Sequence, residues 1–442
     1  MRLRARWLAA LVPLVLLSAC TSGTVTSHSA TPTSTTAPTR APSLSDRGIC
    51  PRELANFPNC YTPAQWRSAY GVQPLTDKGM TGKGQTVVLI ESFGSPTAQR
   101  DINVFDQQFG LPPISLQILA PLGTVPFDPN NHDMVGWAEE TELDTQVVHA
   151  LAPDANIVIL TSPVSETEGT IGLPEFLKLE QYATQHHLGN VVSQSWGASE
   201  ATLADSAGQQ LIQQFASFYQ QETTKDGITF VAASGDNGAI DYTDLNATIY
   251  ATTRTVGFPA DVPWVTVAGG TMLYKNGSSF NEVAWPDSGG GVSKFFAEPD
   301  YQKSLPGADQ TLFAGHRGIP DVAADAAGVG SGDTGLAVYL NGGWTMSSGT
   351  STASPIWAAN IAIADQMAGH PLGFVNPGLY KLAQASTYAQ DFRDVTQGDN
   401  SCCPPNPVRG FSAGPGWDAV TGLGAPQASR LLPDLIAALG GS

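Results

Sequence analysis

Apolar positions fall in short unbroken runs that alternate with longer stretches of helical period. The runs are Val87–Ile90, Ile157–Leu160, Val191–Ser193, Thr229–Ala233 and Val265–Val267. Continuous apolar segments of that length read as strands covered on both faces, the habit of a parallel sheet. Between two of them Leu143, Val147 and Leu151 recur at helical spacing, and Pro153 marks the end of that helix. A second helix is expected over Pro355–Met367, entered from the polar run Asn341–Ser348 through Gly349-Thr350-Ser351, with Pro355 near its start. The repeated strand–helix order predicts one α/β core with a largely parallel central sheet flanked by helices, although the stretch 48–442 is long for a single domain.

Outside that core the pattern changes. Arg2, Arg4 and Arg6 precede an apolar run from Trp7 to Leu17, too short for a comfortable membrane span, so residues 1–19 read as a signal peptide. Leu17-Ser18-Ala19-Cys20 resembles the bacterial lipobox, which makes Cys20 a lipidation candidate; a cleavable signal with a chance cysteine is the alternative. The rest of 20–47 is rich in Ser, Thr, Pro and Ala, cannot bury a core and reads as a disordered tether. The expected location is outside the cell, as a bacterial cell-surface lipoprotein or a secreted protein, touching the membrane through the N-terminal lipid only.

Composition narrows the function classes. A net charge of −18 argues against nucleic-acid binding. Only 14% of residues are charged, beside 46 Gly and 32 Pro, which implies a loop-rich surface with few ion pairs to lose in acid. Gly328–Gly335 lacks a P-loop lysine and reads as a loop. With Cys20 set aside, Cys50, Cys60, Cys402 and Cys403 suggest two bridges in an exported domain. Cys50–Cys60 closing a short loop is the first choice, which leaves Cys402–Cys403 as a vicinal pair; cross-pairing stays open.

Candidate chemistry gathers in three places. Ser351 sits in a Gly-Thr-Ser turn before a helix, where N-terminal amides are at hand; a plain helix cap explains it too. Glu140 and Asp144 lie four residues apart, so their carboxyls share one helix face. Like charges at that spacing weaken a helix, whereas a pair that shares a proton can serve acid–base chemistry. The rival reading is a solvated acidic first turn, which suits Glu139 and Glu142 well. Asp236 follows the apolar run Phe230–Ala233 in a Gly-rich turn. It is either a turn cap or an acid kept protonated to face an oxyanion.

Taken in order, these motifs resemble those of the sedolisins, or serine-carboxyl peptidases, acid-acting enzymes on a subtilisin-like fold. The resemblance runs from Tyr61 to Leu439 and includes Tyr61-Thr62-Pro63-Ala64-Gln65, Gly82-Lys83-Gly84-Gln85, Ser193-Gln194-Ser195-Trp196-Gly197 and Phe258-Pro259-Ala260. Val265–Thr271 and Pro320–Asp325 also fit. The His-Gly-Thr-His stretch of subtilisins is absent, and His149 falls in the apolar part of its helix, where a packed core role suits it. The resemblance implies Ser351 as nucleophile, Glu140 as base, Asp144 hydrogen-bonded to Glu140, and Asp236 in the oxyanion hole. Glu91 and Trp196 match positions that extend the proton network, and Ser195-Trp196-Gly197 would wall the substrate cleft.

The same resemblance implies a structural Ca2+ site in a C-terminal loop region. The side chains of Asp394 and Asp418 and the carbonyls of Val395, Gly414 and Gly416 would hold it. Carboxylates beside Gly-rich backbone are a ligand set that a hard cation favours. Substrates would be polypeptides and the enzyme a monomer. Family members carry a long N-terminal prodomain, whereas only signal and tether precede Tyr61 here. The expectation is therefore unaided folding or a separate prodomain-like chaperone. The non-enzyme alternative is a catalytically silent cell-surface protein that holds peptides on the same fold.

Overall fold

A computed structural model describes residues 49–303, 305, 310–403 and 407–440. The signal peptide, Cys20 and the tether of 20–47 lie outside the described residues.

Apolar runs pair as expected into an eight-stranded sheet. In chain order the main elements are β1 (Thr86–Ser92), α1 (Ala98–Phe109), β2 (Gln117–Leu119), α2 (His132–Leu151), β3 (Asn156–Ser162), α3 (Leu173–Gln185), β4 (Val191–Gln194) and α4 (Ser206–Lys225). They continue with β5 (Thr229–Ala233), β6 (Thr266–Asn276), β7 (Ser279–Ala284), β8 (Val322–Asp325) and α5 (Thr350–Ala368). The strand order is β7-β6-β5-β4-β1-β3-β2, with β8 also paired to β6. Every pairing is parallel except β6 with β7.

Burial on both faces follows from the two-residue period of a strand. In β1, Val87 and Leu89 join the core under α2 and α5, while Val88 and Ile90 join the core under α3 and α4. Ile157 and Ile159 of β3 divide from Val158 and Leu160 in the same way. Continuous apolar runs were the only sequence pattern able to satisfy two such cores.

The α5 helix is buried along nearly its whole length, and Ala353, Ala358, Ala359, Ala362 and Ala364 let it lie close to the sheet and to α2. It starts five residues earlier than its sequence pattern indicated. Pro355 therefore stands inside the helix, not in its first turn, and lacks the N–H that would bond the Ser351 carbonyl. Trp357 anchors the helix by donating from Nε1 to the Ala323 carbonyl at 3.0 Å.

Two long-range ties complete the frame. The strand Asn59–Tyr61 runs parallel to Thr334–Leu340, which folds back on Gly343–Met346. Buried Arg317 grips Asp321 with two nitrogens, at 2.7 and 2.6 Å, and Tyr380 and the Val267 amide also donate to that carboxylate. A buried fork-to-fork pair holds only when its other lone pairs are satisfied, as here. The disulfides are Cys50–Cys60 and Cys402–Cys403. Among the described residues, no helix is long and apolar enough to cross a membrane.

Candidate active site

The carboxyl ends of β1, β4 and β5 are neighbours in the sheet, and each delivers one candidate: Glu91, Ser195 with Trp196, and Asp236. The start of α5 brings Ser351 and the middle of α2 brings Glu140 and Asp144. Open parallel sheets bind ligands at this end because the loops there converge without blocking one another.

Helix α2 begins at His132, where Asn131 Oδ1 caps the Asp133 amide at 3.0 Å. The acidic residues are thus mid-helix and not in a first turn. Glu139 is exposed, but Glu142 is 1% exposed and takes hydrogen bonds from Ser95, Thr97 and the Asn341 amide. The reading of Glu142 as solvated is corrected: it ties α2 to two loops. No sequence pattern separates a solvated acid from one ringed by hydroxyls that come from elsewhere in the chain.

Ser351 and Ser195 stand near the Glu140 carboxyl and favour its ionised form, although Glu140 Oε1 has no hydrogen-bond partner among the described residues. Burial outweighs them and raises its pKa. Asp144 is fully buried, and its pKa is pushed well up by burial first and by Glu140 second. Among the described residues no hydrogen bond joins Glu140 to Asp144, which departs from the direct contact that the resemblance implied. Instead Ser195 Oγ donates to Asp144, lying 3.0 Å from Oδ1 and 2.8 Å from Oδ2.

Glu91 is fully buried, and neither of its oxygens has a hydrogen-bond partner among the described residues. Burial, then Asp144, then Glu140 raise its pKa well above the ordinary value, which leaves it a neutral acid facing the pair. Trp196 packs on Phe176 with ring centres 4.9 Å apart, and its Nε1 is buried without a partner. Neither residue is hydrogen-bonded to the pair among the described residues.

Asp236 opens onto the groove, while Thr350 donates to its Oδ1 from both N and Oγ1 at 2.8 Å. Crowding by protein exceeds those two bonds and raises its pKa. Gly349 is required beside it: the backbone there has φ of 84°, and an added Cβ would lie 2.6 Å from Asp236 Oδ2. The Ser351 amide is a first-turn donor of α5, without an intrahelical acceptor. His149 is buried on the far part of α2, with Nε2 3.0 Å from the Pro112 carbonyl and 3.1 Å from Asp106. That is the core role expected of it.

A cavity of about 230 Å³ adjoins Ser351, lined by Trp196, Gly197, Asp236, Tyr242, Phe258 and Thr350 among others. Glu168 and Asp241 make it acidic, and burial pushes Asp241 up to about 7. Sequence reasoning passed over both, and it gave Ser195 only a place in the cleft wall. The available signal for Ser195 was its position just past a strand's carboxyl end, the same signal that marks Asp236.

In the C-terminal loops, Asp394 Oδ2 accepts from the Gly416 amide and Asp418 Oδ2 from the Gly414 amide, both at 3.0 Å. The loop 414–416 is thus folded between the two carboxyls. Burial raises both, Asp418 to about 6, and neither is ion-paired among the described residues. Buried Asp418 and half-buried Asp394, beside a Gly-rich loop and without a cationic partner among the described residues, suit a hard cation. The other cluster of metal-ligand size, Asp287 with Cys402 and Cys403, has both sulfurs engaged in a disulfide.

The subtilase family matches residues 123–372. Kumamolisin of Bacillus sp. (strain MN-32) is 32% identical over 400 residues, which span 87% of this chain and 65% of that protein. Tripeptidyl-peptidase 1 of Homo sapiens is 30% identical over 311 residues, 67% of this chain and 52% of that protein. The chain therefore spans about half to two thirds of the length of these curated relatives. The solved Pseudomonas sedolisin, a serine-carboxyl proteinase complexed with two molecules of pseudo-iodotyrostatin, superposes with a TM-score of 0.71 at 25% identity. The superposition covers 87% of this chain and 99% of that one. The chain belongs to the subtilase family and, within it, to the sedolisin, or serine-carboxyl, branch.

Proposed function

We propose that the protein is a serine-carboxyl endopeptidase that hydrolyses peptide bonds at acidic pH. One observation carries the reading: Ser351 stands in the first turn of α5, near buried Glu140, and lines the same cavity as Asp236, which accepts from the adjacent Thr350 amide. In this reading an extended peptide pairs with the backbone of Ser195–Gly197 and places a side chain in the adjoining cavity. Ser351 Oγ adds to the scissile carbonyl carbon as its proton passes to Glu140. Glu140 then returns that proton to the leaving amine. The negative oxygen forms between the Ser351 N–H and a protonated Asp236, each donating one hydrogen bond. Water repeats the sequence on the acyl-enzyme. The test is cleavage of an unstructured protein by residues 48–442 across about pH 3 to 8, beside Ser351→Ala. Acid-peaked cleavage absent from the variant is expected; equal cleavage by both proteins would refute the reading.

Lipidation at Cys20 and action outside the cell as a monomer belong to the same proposal, supported by the N-terminal sequence pattern. So does a prodomain-like chaperone, or folding without one. For Ca2+, Asp394, Asp418 and the carbonyls of Val395, Gly414 and Gly416 would be the ligands, and the ion would neutralise two carboxylates and brace the C-terminal loops. A chelator is expected to lower Tm by about 5 °C or more, and Asp418→Asn to remove that response. Calorimetric melts with and without chelator check it, and a chelator-insensitive wild-type protein would contradict it.

A further inference from the structure

We propose that the cavity beside Ser351 selects a lysine or arginine side chain of the substrate, the one next to the scissile bond, and that Glu168 and Asp241 read its charge. The proposal rests on the peptidase reading above and names a substrate class for that same site.

Each of the two carboxyls is held by one oxygen and offers the other. Glu168 Oε2 accepts from the Ser199 amide at 2.9 Å and from Thr202 Oγ1 at 2.7 Å, while Oε1 has no hydrogen bond among the described residues. Asp241 Oδ1 accepts from the Tyr242 amide at 2.8 Å and from Asn237 Nδ2 at 3.1 Å, and its Oδ2 is left free in the same way. Gly257 keeps that oxygen open, since a side chain there would begin only 3.6 Å from it. A third acceptor lies in the wall. Ser234 is 3% exposed and lines the cavity, and its Oγ is buried without a partner among the described residues. A buried hydroxyl left unbonded is a cost that a ligand donor can relieve. No lysine or arginine lines the cavity among the described residues, and neither carboxyl is ion-paired.

Three open acceptors, two of them able to carry charge, match a cation rich in donors. A lysine ammonium has three N–H bonds and no acceptor, and an arginine guanidinium has five in a planar fork. Trp196, Tyr242 and Phe258 offer ring surface to the methylene stem and, for arginine, to the guanidinium face. Ser351 and Asp236 also line the cavity, which sets the bound side chain beside the carbonyl under attack. A carboxylate side chain would be repelled there, and an apolar one would leave the acceptors desolvated and unbonded. Protonation competes with the cation. Burial pushes Asp241 up to about 7 and raises Glu168 as well. The titratable groups facing them are Glu166 from the same loop as Glu168, Asp236 from the turn after β5, and Tyr242 and Asp244; none brings positive charge. Selection for a cation is therefore weakest in acid and grows as pH rises and the carboxyls ionise.

Quenched-fluorescent peptides that differ only in the residue before the cut (Lys, Arg, norleucine, Gln or Glu) test this on wild type from about pH 4 to 6. For Lys or Arg, kcat/KM is expected to exceed that for norleucine at least about tenfold near pH 6, and by less near pH 4. Asp241→Asn should cut the Lys-to-norleucine ratio about tenfold and flatten its pH dependence. That variant keeps the Oδ1 acceptor for Tyr242 and Asn237 and changes the atom that faces the cavity; should it not fold, Glu168→Gln carries the same test. A norleucine rate equal to the Lys rate near pH 6, or a Lys preference that neither substitution lowers, would overturn the proposal. Binding without turnover separates it from the peptidase reading. Calorimetric titration of wild type with n-butylammonium and benzamidinium, against butanol and benzamide, should show the cations bound more tightly, and Asp241→Asn should remove the difference. Cation binding by protein that cleaves no peptide would support the cavity assignment and sink the peptidase reading. Cleavage indifferent to basic residues would do the reverse.

Discussion

Glu140→Gln is expected to lower kcat about 10³- to 10⁴-fold at acidic pH while KM stays within about threefold. Gln keeps the shape of Glu and can accept a hydrogen bond from Ser351, but it cannot take the proton that Ser351 must lose. No other base is placed to replace it, since His149 is turned to Pro112 and Asp106. Stability separates lost chemistry from a damaged fold. Burial raises the Glu140 pKa, so its charged form is the unfavourable one. A neutral amide there should leave Tm unchanged in acid and raise it near neutrality. Steady-state kinetics with parallel melts check both halves, with Ser351→Ala as the baseline and His149→Gln as the variant that retains turnover. More than about a tenth of wild-type kcat in Glu140→Gln would rule out its role as base.

The second large effect is on stability: Tm should fall by at least about 10 °C between pH 4 and pH 8. Burial pushes Asp325 up to about 8 and Asp241 and Asp365 to about 7, against roughly 4 for a carboxyl in the unfolded chain. Glu91, Asp144, Glu166, Glu180 and Asp261 are raised as well, each chiefly by burial. Between those limits the native state binds more protons than the unfolded state, so stability declines as pH rises. The contribution is complete below about pH 4 and is lost as pH passes through 7 to 8. Asp244, Asp300 and Asp399 shift downward and act in the opposite sense, but they are exposed and weak. Differential scanning calorimetry at fixed ionic strength measures this. A Tm that is flat or rising over the range would contradict it, and Asp325→Asn should flatten the slope.

The parallel core was legible because two-sided burial demands unbroken apolar runs, and Thr229–Ala233 was read to the residue. Val265–Val267 was read short. The observed strand Thr266–Asn276 runs on past its parallel partners into an antiparallel hairpin with β7, where exposed Lys275 and Asn276 break the apolar signal. The Glu140/Asp144 pair was only partly legible: like charges one helical turn apart oppose helix formation, but a solvated acidic first turn explained them as well until the resemblance was weighed. Pro355 misled in the other direction: proline marks a first turn in most helices, and here a hydroxyl from β4 approaches the carbonyl it orphans. Glu142 was illegible in kind. Its role depends on which hydroxyls arrive from elsewhere in the chain, and a single carboxyl carries no mark of its future neighbours.

The strand Asn59–Tyr61 lies beside Thr334–Leu340, Tyr70 accepts from the Asp325 amide, and Arg393 donates to the Ala69 carbonyl. Ala428, near the far end, donates to the Tyr70 carbonyl. Residues 59–70 thus find their partners hundreds of residues further along the chain. Such distant closures are slow, because the chain loses loop entropy before any contact compensates for it. Until then the strand that will face Thr334–Leu340 remains an open edge, available to other chains. Arg317 and Asp321 lie close in sequence, but the Tyr380 hydroxyl that completes their pairing is synthesised sixty residues later. The strand Asn59–Tyr61 stays unpaired until the segment Thr334–Leu340 has been made, and speed of folding is what this architecture gives up for a rigid site.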